Sequence, residues 1–276
     1  MDSAVTDSPS KANHNFSYAS AIFLLIITLG LAISTYNRNS VWSRPTSLWS
    51  DNVEKSPMKA RAHYNYATVL AGENRLEEAL AENNKAIELY PYYAKAHFNV
   101  GAIYHKWGRI DEALEKYKIA LELKPDLAEA HNNLGFIYYS GAQFEKAVEE
   151  YRLSLAVRPN HAKTYLNLGL AYRDMGRFEE SISAYNSILK TRPDFAQAYA
   201  YIGDVKMMQG MTDEAIGEYS KALSINPATA EAYLGLGKVF EQQGRLNDAA
   251  EQYRTALKLR PDLNEANERL SRIMGG

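Results

Sequence analysis

Six prolines, Pro91, Pro125, Pro159, Pro193, Pro227 and Pro261, stand 34 residues apart. Six alanines, Ala60, Ala94, Ala128, Ala162, Ala196 and Ala230, keep the same interval. Two unrelated residue types held to one spacing cannot come from composition. A period of this length predicts a solenoid, in which one supersecondary unit is stacked repeatedly and each copy buries its neighbour's apolar face. The ruler divides the chain into units 60–93, 94–127, 128–161, 162–195, 196–229 and 230–263. Each reads as two helices, because apolar residues recur at spacings of three and four in both halves. Gly or Asn near Gly108, Gly141, Gly176, Gly210 and Gly244 is expected to take the left-handed conformation between the two helices. The proline closes the second helix: it has no amide donor, and the residue before it is pushed out of helical geometry.

Within the units, large rings occupy the fourth position (His63, His97, His131, Tyr165, Tyr199, Tyr233). A small residue sits at the eighth (Ala67, Gly101, Gly135, Gly169, Gly203, Gly237), and a second aromatic follows at Tyr104, Tyr138, Tyr172 and Phe240. In the second helices Ala79, Ala113, Ala147, Ala215 and Ala249 precede Tyr117, Tyr151, Tyr185, Tyr219 and Tyr253. Small residues let two helices approach closely, and the aromatics fill the space that remains. This pattern resembles the tetratricopeptide repeat, and the resemblance covers about 200 residues. It implies an all-α, right-handed superhelical solenoid. Leu70 and Lys206 stand in the second aromatic column, Asn83 in the third, and Ser181 in the Ala column. These departures predict looser packing in the first and fifth repeats.

The array needs covered ends. Residues 264–276, with Ala266, Leu270 and Ile273 on one side, read as a C-terminal capping helix. Pro57 lies one period before Pro91, so residues 37–59 read as a juxtamembrane segment and a lone half-repeat helix starting at Pro45. Residues 16–36, FSYASAIFLLIITLGLAISTY, carry no charge and follow a polar tail of residues 1–15. Twenty-one apolar or uncharged residues in a row predict a single transmembrane helix. Arg38 and Arg44 beyond it place the repeats on the cytoplasmic side by charge bias. The junction from Tyr36, Arg38 and Asn39 through Trp42, Leu48 and Trp49 to Pro57 is similar to that of transmembrane-and-tetratricopeptide O-mannosyltransferases and their bacterial relatives. That resemblance implies a lumenal or periplasmic array instead.

One polar residue recurs in the first helices. Asn65, Asn99, Asn133 and Asn167 all hold the sixth position, although Asn is a poor helix former. In the family resembled here, first helices line the concave face. The row is similar to the asparagine ladder inside the O-GlcNAc transferase solenoid, where it holds peptide backbone. An amide offers two donors and an acceptor, which suits the repeating amide of an extended chain. The expected groove therefore combines Asn65, Asn99, Asn133 and Asn167 with Arg61, Tyr64, Lys95, Phe98, Phe136, Tyr139, Lys163 and Arg173. In the last two repeats the row breaks to Tyr201 and Gly235, near Asp204, Met207 and Met208.

No catalytic constellation is expected. There is no Cys, and none of the six His pairs with an acid at metal-ligand spacing. Gly235-Leu236-Gly237-Lys238 falls on the repeat ruler and follows no strand, so it does not read as a phosphate loop. A net charge of −2 without a basic block argues against nucleic acid. The expected function is a membrane-anchored, non-catalytic scaffold binding a protein or extended peptide, with no cofactor and no metal. The alternative is an accessory or split subunit of a membrane glycosyltransferase or cell-envelope complex. Self-association through the solenoid ends is a further expectation.

Overall fold

A computed structural model describes residues 11–42 and 44–275; for 11–19, 37, 40 and 41 it describes backbone only. The expected tail therefore lies outside the described residues up to residue 10. All fifteen elements among the described residues are α-helices. The chain divides into two compact units, Met1–Ile103 and Tyr104–Gly276, with the boundary inside the fifth helix.

In the first unit α1 covers Lys11–Trp42, α2 Pro45–Lys55, α3 Ala60–Gly72, α4 Leu76–Leu89, and α5 begins at Ala94. The helix α1 runs past the expected 16–36 on both sides. Its apolar side chains stay in the open: Phe23 is 64% and Leu25 68% exposed. Among the described residues, however, no helix is long and apolar enough to cross a membrane. The stretch with described side chains between Ser20 and Tyr36 corresponds to roughly 25 Å of helix, against ~30 Å of hydrocarbon. Pro45 opens α2, where a missing amide donor costs nothing. That helix packs on α3, and Thr46 donates to Glu73 at 2.7 Å, tying its start to the α3–α4 turn.

The second unit takes in the end of α5, which stops at Lys106, then α6 Ile110–Leu123, α7 Ala128–Ser140, α8 Phe144–Val157, α9 Ala162–Asp174 and α10 Phe178–Thr191. It continues through α11 Ala196–Met208, α12 Thr212–Ile225, α13 Ala230–Gln242, α14 Leu246–Leu259 and α15 Asn264–Gly275. Neighbours in sequence pack in pairs, α7 on α8, α9 on α10, α11 on α12 and α13 on α14, and each pair packs on the next.

Backbone chemistry sets the joints. The residues before the six prolines are all extended, with φ between −144° and −127°. Inside the pairs, Asn74, Gly108, Gly176, Gly210 and Gly244 take positive φ. The third repeat departs from expectation: Ala142, at φ 54°, is the left-handed residue, while the adjacent Gly141 has φ −88°. The hydrogen bonds of the turn are kept, since Gln143 still donates to the Tyr138 carbonyl at 2.9 Å.

The core is a column of rings. Tyr151, Tyr185, Tyr219 and Tyr253 are fully buried, each against the glycine at position eight of its own repeat. A Cβ on Gly135, Gly169, Gly203 or Gly237 would lie 2.7, 2.3, 2.6 or 2.4 Å from those rings, so only glycine lets the helices meet. The expected looseness of the first and fifth repeats does not appear. Leu70 and Asn83 are fully buried, and Asn83 donates to the Ala79 carbonyl at 2.9 Å. Lys206 reaches Glu214 at 2.8 Å. Ser181 is buried too, and its hydroxyl donates to the Gly169 carbonyl at 2.7 Å.

Candidate groove on the first helices

The asparagine row answers to a second register in the sequence. Each sixth-position residue follows the core residue of the preceding second helix by 16 places, and in the second, third, fifth and sixth repeats the structure brings the two together. In the first unit Asn99 approaches Asn83, with 3.5 Å from its amide nitrogen to Asn83 Oδ1 and 3.4 Å to Thr68 Oγ1. In the second unit Asn133 donates to the Tyr117 hydroxyl at 3.1 Å. Tyr201 stacks on Tyr185 with centroids 5.6 Å apart and planes 28° from parallel. Gly235 lies so close to Tyr219 that a Cβ there would sit 2.2 Å from the ring. In the sixth repeat this position therefore has no room for a side chain. Asn167 is the exception among the asparagines of this unit. Its amide nitrogen is buried and unpartnered, and so is the hydroxyl of Tyr151.

The remaining groove residues divide into exposed and anchored ones. Arg61, Lys95 and Lys163 are exposed, while Asn65, Tyr64 and Phe98 are half-buried. Tyr64 packs on Tyr93, with centroids 4.9 Å apart. Phe136 stays 42% exposed, and its ring meets His105 at 5.7 Å. Burial lowers the pKa of that His105. Tyr139 donates to Asp174 at 2.6 Å, and Arg173 donates to the other oxygen of the same carboxylate at 2.8 Å. Burial and this carboxylate push the Tyr139 hydroxyl up to about 12. Burial alone would lower the Arg173 pKa; its hydrogen bond to Asp174 and that group's charge reverse the balance and raise it. Tyr139 and Arg173 thus form one network, although they come from different repeats.

Sequence reasoning missed a concavity at the end of the row. Where the row breaks, a cleft of about 360 Å³ opens among Arg173, Asp204, Met208, Lys238, Glu265 and Arg269. Asp204 accepts from the Tyr219 hydroxyl at 2.8 Å. Burial raises the Asp204 pKa, and Lys238, Tyr219 and Arg173 only partly offset that rise. Lys238 pairs with Glu265 at 2.8 Å, and Arg269 bridges Glu241 and Glu265 at 3.0 and 3.1 Å. The cations of this cleft are matched by acids, so it offers a mixed polar wall rather than a basic one. A tally of the ninth positions, Asp204 and Lys238, against the cap would have pointed there. Among the described residues no group of three His, Cys, Asp or Glu side chains is placed to hold a metal.

Comparison with known proteins places this geometry. Sequence models described as tetratricopeptide repeats match residues 50–94, 83–115, 126–194 and 230–263. One described as TPR repeat matches 101–141 and 203–244. Two curated relatives, the protein O-mannosyl-transferases TMTC1 of mouse and human, are 33% and 32% identical over 72 and 71 residues. These segments are 26% of this chain and only 7% and 8% of the relatives, so the chain matches less than a tenth of their length. Among solved structures, a tetratricopeptide repeat protein from Parabacteroides merdae superposes with TM-score 0.65 at 20% identity, over 89% of this chain and 97% of that one. PilW, a type IV pilus biogenesis factor, gives 0.65 at 23% identity over 76% and 98%. YrrB, a repeat protein with an unusual peptide-binding site, gives 0.58 at 23% identity over 67% and 95%. At these identities the solved structures speak for the fold alone. With sequence models and backbone agreeing along the same 34-residue ruler, the chain belongs to the tetratricopeptide repeat family.

Proposed function

We propose that this chain is a scaffold without chemistry of its own, which holds an extended protein segment along its first helices beside a membrane. One observation carries the reading. In the second unit, the sequence-predicted face presents Phe136 and Lys163 to solvent next to the half-buried amides of Asn133 and Asn167. Apolar, cationic and amide groups on one face suit an extended chain, whose backbone gives affinity and whose side chains give preference. YrrB, described as having a peptide-binding site, shares the fold and supports the class of ligand.

The membrane part rests on α1. Its exposed apolar band from Ile22 to Ile33 is larger than single surface residues explain, and such bands mark contact with protein or lipid. In this reading residues 16–36 lie in the bilayer. A second reading, an accessory part of a membrane glycosyltransferase, is favoured by the 33% identity to the O-mannosyl-transferase over 72 residues. Its partner would then be a multispanning transferase.

A photo-crosslinking residue at Phe136 or Lys163 tests the groove, with Lys118 and Arg152 on second helices as controls. Crosslinks to a partner from the first pair alone support the reading; equal yields from both pairs reject it. The anchor is tested by alkaline carbonate extraction of membranes, where the full chain should stay in the pellet. Release of the full chain to the supernatant rejects the anchor. Identification of the crosslinked partner as a multispanning enzyme or a soluble protein separates the two readings, and protease protection in sealed vesicles fixes the side.

A further inference from the structure

The turn inside the third repeat is built differently from the other five, and a pocket opens beside it. In every repeat the fifteenth residue takes the left-handed conformation: Asn74, Gly108, Ala142, Gly176, Gly210 and Gly244 all have positive φ. The fourteenth residue of the other repeats carries a side chain, as Glu73, Trp107, Met175, Gln209 and Gln243. In the third repeat the glycine stands one place early, at Gly141, and an alanine bears the strained angle. Nothing in the fold asks for a glycine at 141. Its φ of −88° suits any residue, and the atoms nearest to a Cβ there lie 3.6 Å away, at ordinary contact distance. What the glycine provides is space. It lines a pocket of about 400 Å³, at the small end of the volumes that hold compact ligands. Backbone strain that the packing does not demand clusters at functional sites.

The pocket lies between the start of α6 and the end of α7, and shares no residue with the sequence-predicted groove. Ile110 and Leu114, one turn apart on α6, and Ile137 of α7 give it an apolar wall. Two of its polar groups are acceptors without partners. Asp111 is exposed, and among the described residues its carboxylate meets neither a cation nor a donor. The His105 ring touches Phe136 and makes no hydrogen bond either. Burial lowers the His105 pKa, so at neutral pH the ring is uncharged and one nitrogen can accept. Among the described residues no Lys or Arg lines the pocket. Lys146, which reaches two lining residues, is spent on Gln143 at 2.8 Å and on the Tyr138 ring. An apolar body suits the wall and a positively charged donor suits the acceptors, whereas an anion meets repulsion from Asp111. We propose that this pocket is a second ligand site, separate from the groove, which takes a compact aromatic amine, its ring against Ile110, Leu114 and Ile137 and its ammonium on Asp111 and His105.

The test uses the full chain in detergent, with empty micelles as the blank. Three probes are followed by fluorine NMR: para-fluorophenethylamine, its alcohol analogue and its carboxylate analogue. The amine should bind about tenfold more tightly than the alcohol, the worth of a charge-assisted hydrogen bond, and the carboxylate more weakly than both. Gly141→Met, which brings in the residue type of Met175, should weaken every probe by about tenfold or more by filling the space. Asp111→Asn should remove the advantage of the amine and leave the alcohol unchanged. Lys163→Gln, in the groove, should change neither. Unchanged unfolding midpoints show that the variants keep the fold, and Asp111→Asn sits at an exposed position, so its readout stands whatever Gly141→Met does to stability. Binding of no probe overturns the site. Affinities that a folded Gly141→Met chain leaves untouched put the probes elsewhere and overturn it too. Equal affinity for amine and carboxylate, or an advantage that Asp111→Asn leaves intact, overturns the assignment of an amine.

Discussion

At the scale of single residues, two register rules decide what each position tolerates. The first pairs a small residue at position eight with the core ring 16 places on. Gly169 has the tightest of these contacts: a Cβ would lie 2.3, 2.6 and 2.8 Å from three atoms of Tyr185. That ring is fully buried and stacked on Tyr201, so it cannot retreat. Gly169→Ala gains about 1 kcal/mol of helix propensity and loses about 3 kcal/mol to overpacking. The substitution should therefore destabilise the chain by about 2 kcal/mol, read as an earlier midpoint of chemical unfolding. An unchanged midpoint would show that the ring moves freely. The converse case is Ala142, held at φ 54° in a turn where other repeats place glycine or asparagine. A left-handed alanine costs roughly 1–2 kcal/mol, and glycine returns part of that as chain entropy. Ala142→Gly should stabilise by about 0.5–1 kcal/mol, and a lower midpoint would contradict the strain.

At the scale of the element, the fourth-position ring closes the joint before four of the six repeats. His63, His97 and His131 each donate Nε2–H to the proline carbonyl six residues back, at 2.9 Å. Tyr199 does the same with its hydroxyl, at 3.1 Å from the Pro193 carbonyl. The column of rings was legible in the sequence because it recurs at one interval. Its task was not, since a bond closing six residues back depends on the extended residue before the proline. The amide row divides in the same way: its spacing was legible, but not which amides were spent on neighbouring rings. That depends on distances across helices, which separate Asn133 from Asn167 although the two look alike in sequence. His131 adds a charge to the joint, because its Nδ1 faces Glu150 at 2.6 Å. Burial lowers its pKa, but the hydrogen bonds to Glu150 and the Pro125 carbonyl and the Glu150 charge outweigh that and leave it raised. The folded protein thus holds this proton more tightly than the unfolded chain. The resulting stability is fully present below about pH 6.5, the unfolded value, and is lost as pH rises through the folded value. His131→Tyr keeps a donor for the carbonyl, as Tyr199 does, and deletes the titration. Between about pH 5 and pH 8 the wild type should lose melting temperature relative to this variant. Parallel curves would show that folding leaves the proton affinity of His131 unchanged.

At the scale of the whole molecule, a repeat array is stable only as far as its ends are covered, because each unit contacts mainly its neighbours. In the second unit the cover is α15. Ala266 is fully buried there, and Leu263, Leu270 and Ile273 lie against Leu234, Ala249, Tyr253 and Ala256. Polar clamps hold the same helix: Arg269 reaches Glu241 at 3.0 Å, and Glu265 reaches Lys238 at 2.8 Å. Those clamps are partly exposed and each contributes little; the half-buried Leu270 and Ile273 with the buried Ala266 contribute more, on the order of 3 kcal/mol together. Ending the chain at residue 263 exposes the face of α14 on which the last fully buried tyrosine, Tyr253, lies. The loss should stay local. Amides of α13 and α14 would exchange faster, roughly in proportion to that free energy, while those of α7 and α8 keep their protection. Nearest-neighbour coupling requires such a gradient. A uniform loss of protection from α7 to α14 would mean that the second unit opens as one body, and that its repeats share a single stability instead of passing it from pair to pair.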